Sequence, residues 1–209
     1  LEKTIICHYH GEDLRSRGVM PFIDKASRLN LTNEVDLLSK HPSINYLFLP
    51  FETSQYKPKK KINKTLRISH APTNRFYKGS KQIIEICRKL EQQGKIKFDL
   101  IENLPHSSAM DRKSKSDIFI DQIGDRGGWG YGMNSVESLS MGICTMTEMN
   151  DSYNSFIPDH PFIAVTENTL ENKIIDLIKD KDKVSKAGSD GRYWVQKYHD
   201  IKQVSDALY

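Results

Sequence analysis

The chain has 209 residues, of which 37% are apolar and 28% are charged, and its formal net charge is +4 at pH 7. This length suits one well-packed domain and a smaller second unit, and the apolar content excludes a generally disordered chain. The mild positive charge permits anionic ligands but does not by itself indicate nucleic-acid binding.

The chain shows no pattern typical of a membrane span or a secreted protein. Its longest strongly apolar run covers only residues 46–51, whereas a membrane-spanning helix needs about 20 residues. Residues 1–20 lack the uncharged apolar core of a signal peptide, although the chain begins with Leu and we expect its natural start to lie upstream. The three cysteines lie far apart, which predicts reduced thiols and a cytoplasmic location.

Residues 1–52 carry the pattern of a partial α/β unit. Residues 53–65 then contain many lysines, a proline and almost no apolar side chains, which is typical of a linker. We therefore predict that residues 66–209 form a separate and complete domain. The predicted elements of the first unit are a strand over 4–9, a helix over 22–29 and a strand over 45–49.

Strand-like and helix-like stretches alternate through residues 66–209, with about 20 to 30 residues in each unit. Such alternation implies right-handed crossovers, and it predicts an α/β fold in which helices cover both faces of a parallel sheet. The predicted strands cover 66–73, 96–101, 117–123, 143–146 and 161–165, and the predicted helices cover 80–93, 107–115, 134–141, 170–178 and 184–208.

A glycine-rich segment, residues 124–137, lies between a predicted strand and a predicted helix. Glycines let the backbone approach a ligand closely, and the free N–H groups at the start of a helix favour an anion. The segment differs from the dinucleotide-binding motif, because no acidic residue follows at the expected spacing after a strand. Taken alone, it fits a tight turn without a ligand equally well.

Two cations, Arg75 and Lys78, lie in the predicted loop of residues 70–80, which follows the first strand of the domain. Ligands of open α/β sheets bind at the carboxyl ends of the strands, and a guanidinium with an ammonium suits a diphosphate there. A solvated loop is the alternative for this segment alone. Because residues 124–137 follow a strand of the same sheet, the two segments together predict a nucleoside-diphosphate site.

Three segments, HAPTNRFYKGS (70–80), DIFIDQIG (117–124) and GYGMNSVESLSMG (130–142), resemble the C-terminal, donor-binding domain of GT-B glycosyltransferases. The nearest group is family 4 of the retaining enzymes. The resemblance implies a Rossmann-like donor domain and transfer of a sugar from a nucleotide-diphosphate donor to a saccharide or lipid-linked acceptor, with retention. It also implies that no metal and no cofactor is required, and that the enzyme serves bacterial polysaccharide or glycolipid assembly.

The same resemblance assigns roles to particular residues. Arg75 and Lys78 take the catalytic role of holding the donor pyrophosphate, and Glu137 that of bonding the ribose hydroxyls. The family motif E-G-F-G-x-x-x-x-E-A-M-A-x-G matches residues 129–142, with Trp129 in place of the first glutamate and Asp125 as a weak substitute for it. The implied donor-binding residues are Gly130, Tyr131, Gly132, Met133, Asn134, Ser135 and Glu137.

Residues 8–15 (HYHGEDLR) are similar to the H-G-S-D-L-R stretch in the acceptor-side domain of some such enzymes. This similarity gives His10 a catalytic role close to the donor sugar. A strand end with surface side chains is the alternative interpretation. His8, His10 and Asp13 are not followed by a further ligand cluster, so no metal site is predicted.

The resemblance covers nearly the whole chain and implies that much of the acceptor-side domain precedes Leu1. The alternative to an enzyme is a non-catalytic nucleotide-sugar-binding domain or a partner subunit. No nucleic-acid partner is expected, and the lysine-rich residues 57–64 allow peripheral contact with the inner face of a membrane. Alanine at Arg75 or Lys78 is expected to lower donor turnover by orders of magnitude while folding is kept.

Overall fold

The computed structural model describes residues 3–59, 61–124, 126, 130–157 and 159–208. Two β-sheets form the frame of this part of the chain. The first sheet holds, side by side, β1 (Ile6–Tyr9), β2 (Leu29–Thr32) and β3 (Ile44–Tyr46). The second sheet contains β4 (Arg67–His70), β5 (Lys97–Leu100), β6 (Ile118–Ile120), β7 (Cys144–Thr147) and β8 (Ile163–Ala164).

Helices connect most of these strands. Within the described residues, no helix combines the length and the apolar character that crossing a bilayer requires. The helices are α1 (Pro21–Ala26), α2 (Ser80–Gln92), α3 (His106–Ser114), α4 (Met133–Ser140), α5 (Asp151–Phe156), α6 (Leu170–Lys179), α7 (Lys181–Tyr198) and α8 (Ile201–Asp206).

The strands of both sheets pair in parallel, and helices cover both faces of the second sheet. Successive side chains of a strand point to opposite faces. Ile118 and Ile120 of β6 therefore pack in the core that also holds side chains of α2 and α6. Phe119 packs on the other face with Met110 of α3 and with Met141. The predicted fold class, α/β with helices on both faces of a parallel sheet, is confirmed.

The strand order of the second sheet is β5-β4-β6-β7-β8. The chain passes from β4 to β5 on one side and then returns to the other side of β4 to form β6. Such a reversal opens a crevice beyond the carboxyl ends of the two central strands, where open α/β sheets bind their ligands. His70 and Ile120 are register partners at this end of β4 and β6. The topology therefore locates the candidate site beyond these two residues.

The predicted helix over 22–29 is wrong in its second half. The helix ends at Ala26, and Leu29–Thr32 forms β2, the central strand of the first sheet. Its pattern is hard to recognise because Asn30 and Thr32 are polar but buried. The Asn30 Nδ2 donates to Asp24 Oδ1 at 2.8 Å, which satisfies part of that buried amide.

The predicted helix over 184–208 is in fact divided into α7 and α8. The division falls at His199 and Asp200, beside the backbone of Phe51. The Phe51 N–H donates to the His199 carbonyl at 2.7 Å, and the Ile201 N–H donates to the Phe51 carbonyl at 3.0 Å. These two bonds replace helical ones and tie the end of the chain to the segment after β3. The short helix α5 was also not predicted.

The described residues of the predicted linker over 53–65, which are 53–59 and 61–65, lie against the second sheet and its helices. Thr53 is buried, and the Lys59 N–H donates to the Met141 carbonyl at 2.8 Å. The Lys59 ammonium lies 3.3 Å from Asp117 Oδ1, at the amino end of β6. At least this lysine of the basic run therefore has a structural partner. Membrane contact through the other lysines stays a prediction.

Candidate functional site

The amino end of α4 carries uncapped backbone amides. Gly132 precedes the helix in an extended conformation (φ −137°, ψ −168°), and no side chain in the described part of the chain caps the helix. The first amides of a helix have no carbonyl partner within it, and they carry partial positive charge. The amides of Met133 and Asn134 can therefore bind an anion.

Lys78 lies beside this helix end and is held by a buried carboxylate. Its ammonium donates to Asp121 Oδ1 at 2.6 Å and to Gln122 Oε1 at 3.0 Å. Asp121 also accepts a hydrogen bond from the Ser135 hydroxyl, at 2.6 Å, in the first turn of α4. Burial opposes the charge on Asp121, yet Lys78 and Ser135 hold the pKa of its carboxyl below the usual value. An ammonium has three N–H donors, so one remains for a ligand.

A cleft of about 270 Å³ lies between the first unit and the second sheet, and we call it the α4 cleft. One wall consists of Lys78 and the residues that lead into α4. The opposite wall comes from residues after β2 and β3. The residues that line the α4 cleft are Asn33, Glu34, Leu49, Lys78, Tyr131, Gly132 and Met133.

Glu34 gives the opposite wall of the α4 cleft a fixed negative charge. Its Oε1 accepts the Gly11 N–H at 3.0 Å, and its Oε2 contacts the Arg15 guanidinium. Arg15 is in turn held by two hydrogen bonds of 2.7 Å to Asp36. The glycine and the arginine of the stretch HYHGEDLR therefore hold Glu34 in this wall. His10 is exposed, its ring centre lies 4.6 Å from that of His8, and it is not among the residues that line the α4 cleft.

A second cavity, of about 600 Å³, lies between the carboxyl ends of β4 and β5, and we call it the β4–β5 cavity. Arg75 lines it and is exposed, with its guanidinium forming hydrogen bonds of 2.7 and 2.5 Å to Glu102. These bonds hold the pKa of the Glu102 carboxyl below the usual value. The cavity is lined by Ala71, Pro72, Thr73, Arg75, Ile101, Glu102, Asn103, Leu104, His106, Ala109 and Asn134.

Glu137 lies next to this second cavity, one turn into α4. Its Oε1 is 2.9 Å from His106 Nε2, and its Oε2 accepts a hydrogen bond of 2.5 Å from the Lys113 ammonium. Lys113 also donates to Asn134 Oδ1 at 2.8 Å. The first two turns of α4 therefore connect the α4 cleft, through Gly132 and Met133, with the β4–β5 cavity, through Asn134.

The structure brings some of the predicted site residues together and separates others. Lys78, Tyr131, Gly132 and Met133 share the α4 cleft, whereas Arg75 and Asn134 line the β4–β5 cavity. Arg75 and Lys78 therefore do not line a common cavity, although α4 borders both. The predicted roles of these residues stay predictions. Trp129 and Asp125 lie outside the described residues.

Gly130, Tyr131 and Ser135 also have contacts within the protein. Gly130 has a φ of +48°, and a Cβ there would lie 2.7 Å from the Tyr153 ring. The Tyr131 hydroxyl lies 3.1 Å from His199 Nε2 and 3.4 Å from the Tyr46 hydroxyl. Together with the bond from Ser135 to Asp121, these contacts fix the path of the chain into α4.

The sequence interpretation missed Glu34, Asp121, His106 and Lys113. Asp121 carried a detectable signal, because it is a carboxylate at the end of an apolar strand. The signal for Lys113 was weaker: it lies three residues after Met110 in α3, so both residues share the buried face of that helix. The position of Glu34 depends on how the two sheets pack, which no local pattern reports.

Two buried histidines should make the fold sensitive to mild acid. Burial lowers the pKa of both His70 and His199 to about 4, from an ordinary value of 6.5. The unfolded chain therefore binds more protons between these values, and stability falls as the pH drops from about 6.5 to about 4. At pH 5 we expect a loss of about 2 kcal/mol for each histidine. Urea unfolding at pH 7.5 and pH 5 measures this loss.

Both buried rings have hydrogen-bond partners in their neutral forms, and burial makes their protonation unfavourable. His199 Nδ1 donates to the Leu49 carbonyl at 2.8 Å, and its Nε2 accepts from the Tyr131 hydroxyl. A His199→Gln variant should lose stability at pH 7.5 but show a smaller difference between the two pH values. An unchanged pH dependence in this variant would mean that His199 is not responsible.

The two parallel sheets and the site between them define an α/β fold of the GT-B class, and solved structures share it over nearly the whole chain. HepE from Anabaena, solved with UDP and glucose, has a TM-score of 0.72 and 12% identity, over 99% of this chain and 70% of HepE. A TarM variant from S. aureus, solved with fondaparinux, alpha-GlcNAc-glycerol and UDP, has a TM-score of 0.69 and 11% identity, over 98% of this chain and 50% of TarM.

An alpha-glucosyltransferase solved with UDP and a 13-mer DNA is also similar, with a TM-score of 0.68 and 12% identity, over 98% of this chain and 70% of that enzyme. At such low identity the likeness shows the fold. No protein-family model matches the chain, and no curated protein matches its sequence. Within the described residues, no group of three or more His, Cys, Asp or Glu side chains is arranged to hold a metal ion.

Proposed function

We propose that this chain is the donor-binding part of a glycosyltransferase that uses a nucleoside-diphosphate sugar and a saccharide or lipid-linked acceptor. One observation carries the proposal: the uncapped amino end of α4 borders two cavities, with the Lys78 ammonium on one side. UDP is bound in the similar HepE, TarM and alpha-glucosyltransferase structures, which supports a nucleotide-sugar donor.

The β4–β5 cavity suits the nucleoside half of the donor. Its volume of about 600 Å³ lies within the usual range of small-molecule pockets. Glu137, at its edge, would bond the ribose hydroxyls, as the family resemblance implies. The diphosphate would then extend over the amides of Met133 and Asn134 and into the α4 cleft, towards the donor sugar.

Lys78 and the α4 amides would accelerate transfer by stabilising the leaving group. Cleavage of the anomeric bond increases the negative charge on the departing phosphate oxygen. Groups that bind this charge more strongly in the transition state than in the ground state lower the barrier. Asp121 and Gln122 hold the ammonium in place before the donor arrives. Arg75 would contribute from the side of the β4–β5 cavity.

Retention of the anomeric configuration and independence from metal ions are parts of this proposal that rest on the family resemblance. A saccharide or lipid-linked acceptor is likewise part of the proposal. The alpha-glucosyltransferase structure includes DNA, so the expectation that nucleic acid is not a partner has no support from these neighbours. An acceptor screen should therefore include oligonucleotides beside saccharides and glycolipids.

The amide of Met133 can be removed without removing the helix. Met133 is the first residue of α4, where proline is tolerated, and the extended Gly132 before it is compatible with a following proline. We expect Met133→Pro to bind UDP about 10 to 100 times more weakly, because a hydrogen bond to a charged group contributes about 1.5–3 kcal/mol. Calorimetric titration with UDP, GDP and ADP measures the affinity and identifies the base.

Met133→Ala is the matched control, because it removes the side chain but keeps the N–H. It should bind UDP as the unchanged protein does. Equal affinity of the proline and alanine variants would contradict the proposed diphosphate site. Binding of a nucleoside diphosphate without release of UDP, GDP or ADP from any donor sugar would instead favour a non-catalytic binding domain.

A further inference from the structure

Lys113 is a buried lysine at the edge of the candidate site. Its side chain is 1% exposed, and its ammonium lies 4.8 Å from the centre of the Phe119 ring. Burial lowers the pKa of this amine, although Glu137 acts in the opposite direction. A lysine is rarely buried unless it is paired, since desolvation of its charge is unfavourable. The hydrogen-bond partners of Lys113 therefore indicate the role of its buried charge.

Both partners of the ammonium belong to the beginning of α4. Lys113 Nζ donates to Glu137 Oε2 at 2.5 Å and to Asn134 Oδ1 at 2.8 Å. Because its Oδ1 is engaged, Asn134 directs its Nδ2 to the Ala71 carbonyl, at 3.1 Å, beyond the end of β4. One ammonium therefore fixes two side chains of α4 and indirectly the loop after β4.

The hydrogen bond from Lys113 also decides which oxygen of Glu137 is available. Oε2 is held on the protein side, so Oε1 is left towards the β4–β5 cavity, where its partner is His106 Nε2 at 2.9 Å. The His106 side chain is 69% exposed, whereas that of Glu137 is 8% exposed. The histidine can move into solvent when a ligand arrives, and the carboxylate cannot.

We infer that Lys113 is a positioning residue that makes the site select ribonucleotides over deoxyribonucleotides. It holds the Glu137 carboxylate in the single orientation in which Oε1 accepts hydrogen bonds from the ribose hydroxyls. This inference rests on the proposed function, in which Glu137 bonds the ribose. Without the ammonium, the carboxylate rotates or turns to His106, and the ribose hydroxyls lose their acceptor.

The test compares UDP with 2′-deoxy-UDP on the full chain, by calorimetric titration of the unchanged protein and of Lys113→Met. The unchanged protein should prefer UDP by about 10-fold or more, as expected for a hydroxyl bonded to a carboxylate. Lys113→Met should lose about 10-fold in affinity for UDP and clearly less for 2′-deoxy-UDP, which retains only the 3′-hydroxyl. The ratio of the two dissociation constants should therefore approach one.

Lys59→Met is the matched control. It removes another lysine that pairs with a buried carboxylate, Asp117, at the opposite end of β6 from the site. This variant should keep the preference for UDP. An equal loss of affinity for both nucleotides in Lys113→Met, or an unchanged ratio, would overturn the positioning role. Failure of the unchanged protein to bind any nucleoside diphosphate would instead overturn the proposed function.

A crystal structure of the unchanged protein with UDP decides the question without a substitution, should Lys113→Met fail to fold. We expect Glu137 Oε1 within hydrogen-bond distance of a ribose hydroxyl while Oε2 stays on Lys113 Nζ. A bound ribose that does not contact Glu137, or a Glu137 that has left Lys113, would contradict the inference.

Discussion

Lys78→Met should lower the rate of donor turnover at least 100-fold and reduce the free energy of unfolding by about 3–5 kcal/mol. The loss of activity follows from removing the cation of the α4 cleft. The loss of stability follows because Lys78 and Asp121 are both buried, and the substitution leaves the Asp121 carboxylate without its charged partner. Release of the nucleoside diphosphate and urea unfolding measure the two effects.

The expectation that alanine at Lys78 keeps folding intact is therefore not compatible with the burial of this residue. The double variant Lys78→Met with Asp121→Asn separates the two effects, because it removes the unpaired charge. It should regain most of the stability while turnover stays low. Arg75→Met is the control for removing an exposed cation instead of a buried one, and it should leave the unfolding transition unchanged. Recovery of turnover in the double variant would contradict a catalytic role for Lys78.

Gly79→Ala should destabilise the fold by about 3 kcal/mol or more and weaken donor binding. Gly79 has a φ of +62°, and a Cβ there would lie 2.4 Å from the Ile123 carbonyl oxygen and 2.7 Å from Ile123 Cγ1. The backbone before α2 must therefore move away from the segment after β6. Because Lys78 is the preceding residue, its ammonium moves too. Urea unfolding and titration with UDP measure the result.

Gly94→Ala is the matched control for this substitution. Gly94 has a similar φ of +70°, but nothing lies within 4 Å of a Cβ built there. Its loss of stability should be only the conformational strain of a left-handed alanine, about 1–2 kcal/mol. Equal losses in the two variants would show that the close approach of Gly79 to Ile123 has no energetic consequence.

The elements that the sequence predicts well are those with a regular apolar pattern. The helix predicted over 80–93 is observed at Ser80–Gln92, because Ile83, Cys87 and Leu90 mark one buried face. The strand β2 was missed because its buried polar residue Asn30 donates a hydrogen bond to Asp24, a partner that only the folded chain provides. Residue propensity and apolar periodicity reveal a helix with one apolar face. They do not reveal a strand whose buried residue is polar.

The candidate site likewise contains features that the sequence predicts and features that depend on tertiary packing. The glycine-rich segment and Lys78 predict an anion site at the start of a helix, and the structure places Lys78 with Gly132 and Met133 on one cleft. Glu34 approaches this cleft from a different sheet, and Lys113 meets Glu137 only when α3 packs beside α4. Contacts between residues on separate elements depend on packing, so their chemistry could not be predicted from local patterns.

The central claim is that the diphosphate of the donor binds at the amino end of α4, between the two cavities. Amide NMR titration of the chain with UDP and, separately, with uridine tests it directly. UDP should shift the Met133 and Asn134 amide resonances most strongly, whereas uridine should shift residues of the β4–β5 cavity, with a weaker effect on Asn134, and leave Met133 unchanged. The claim is contradicted if uridine shifts the α4 amides equally, or if UDP leaves them unchanged while it binds.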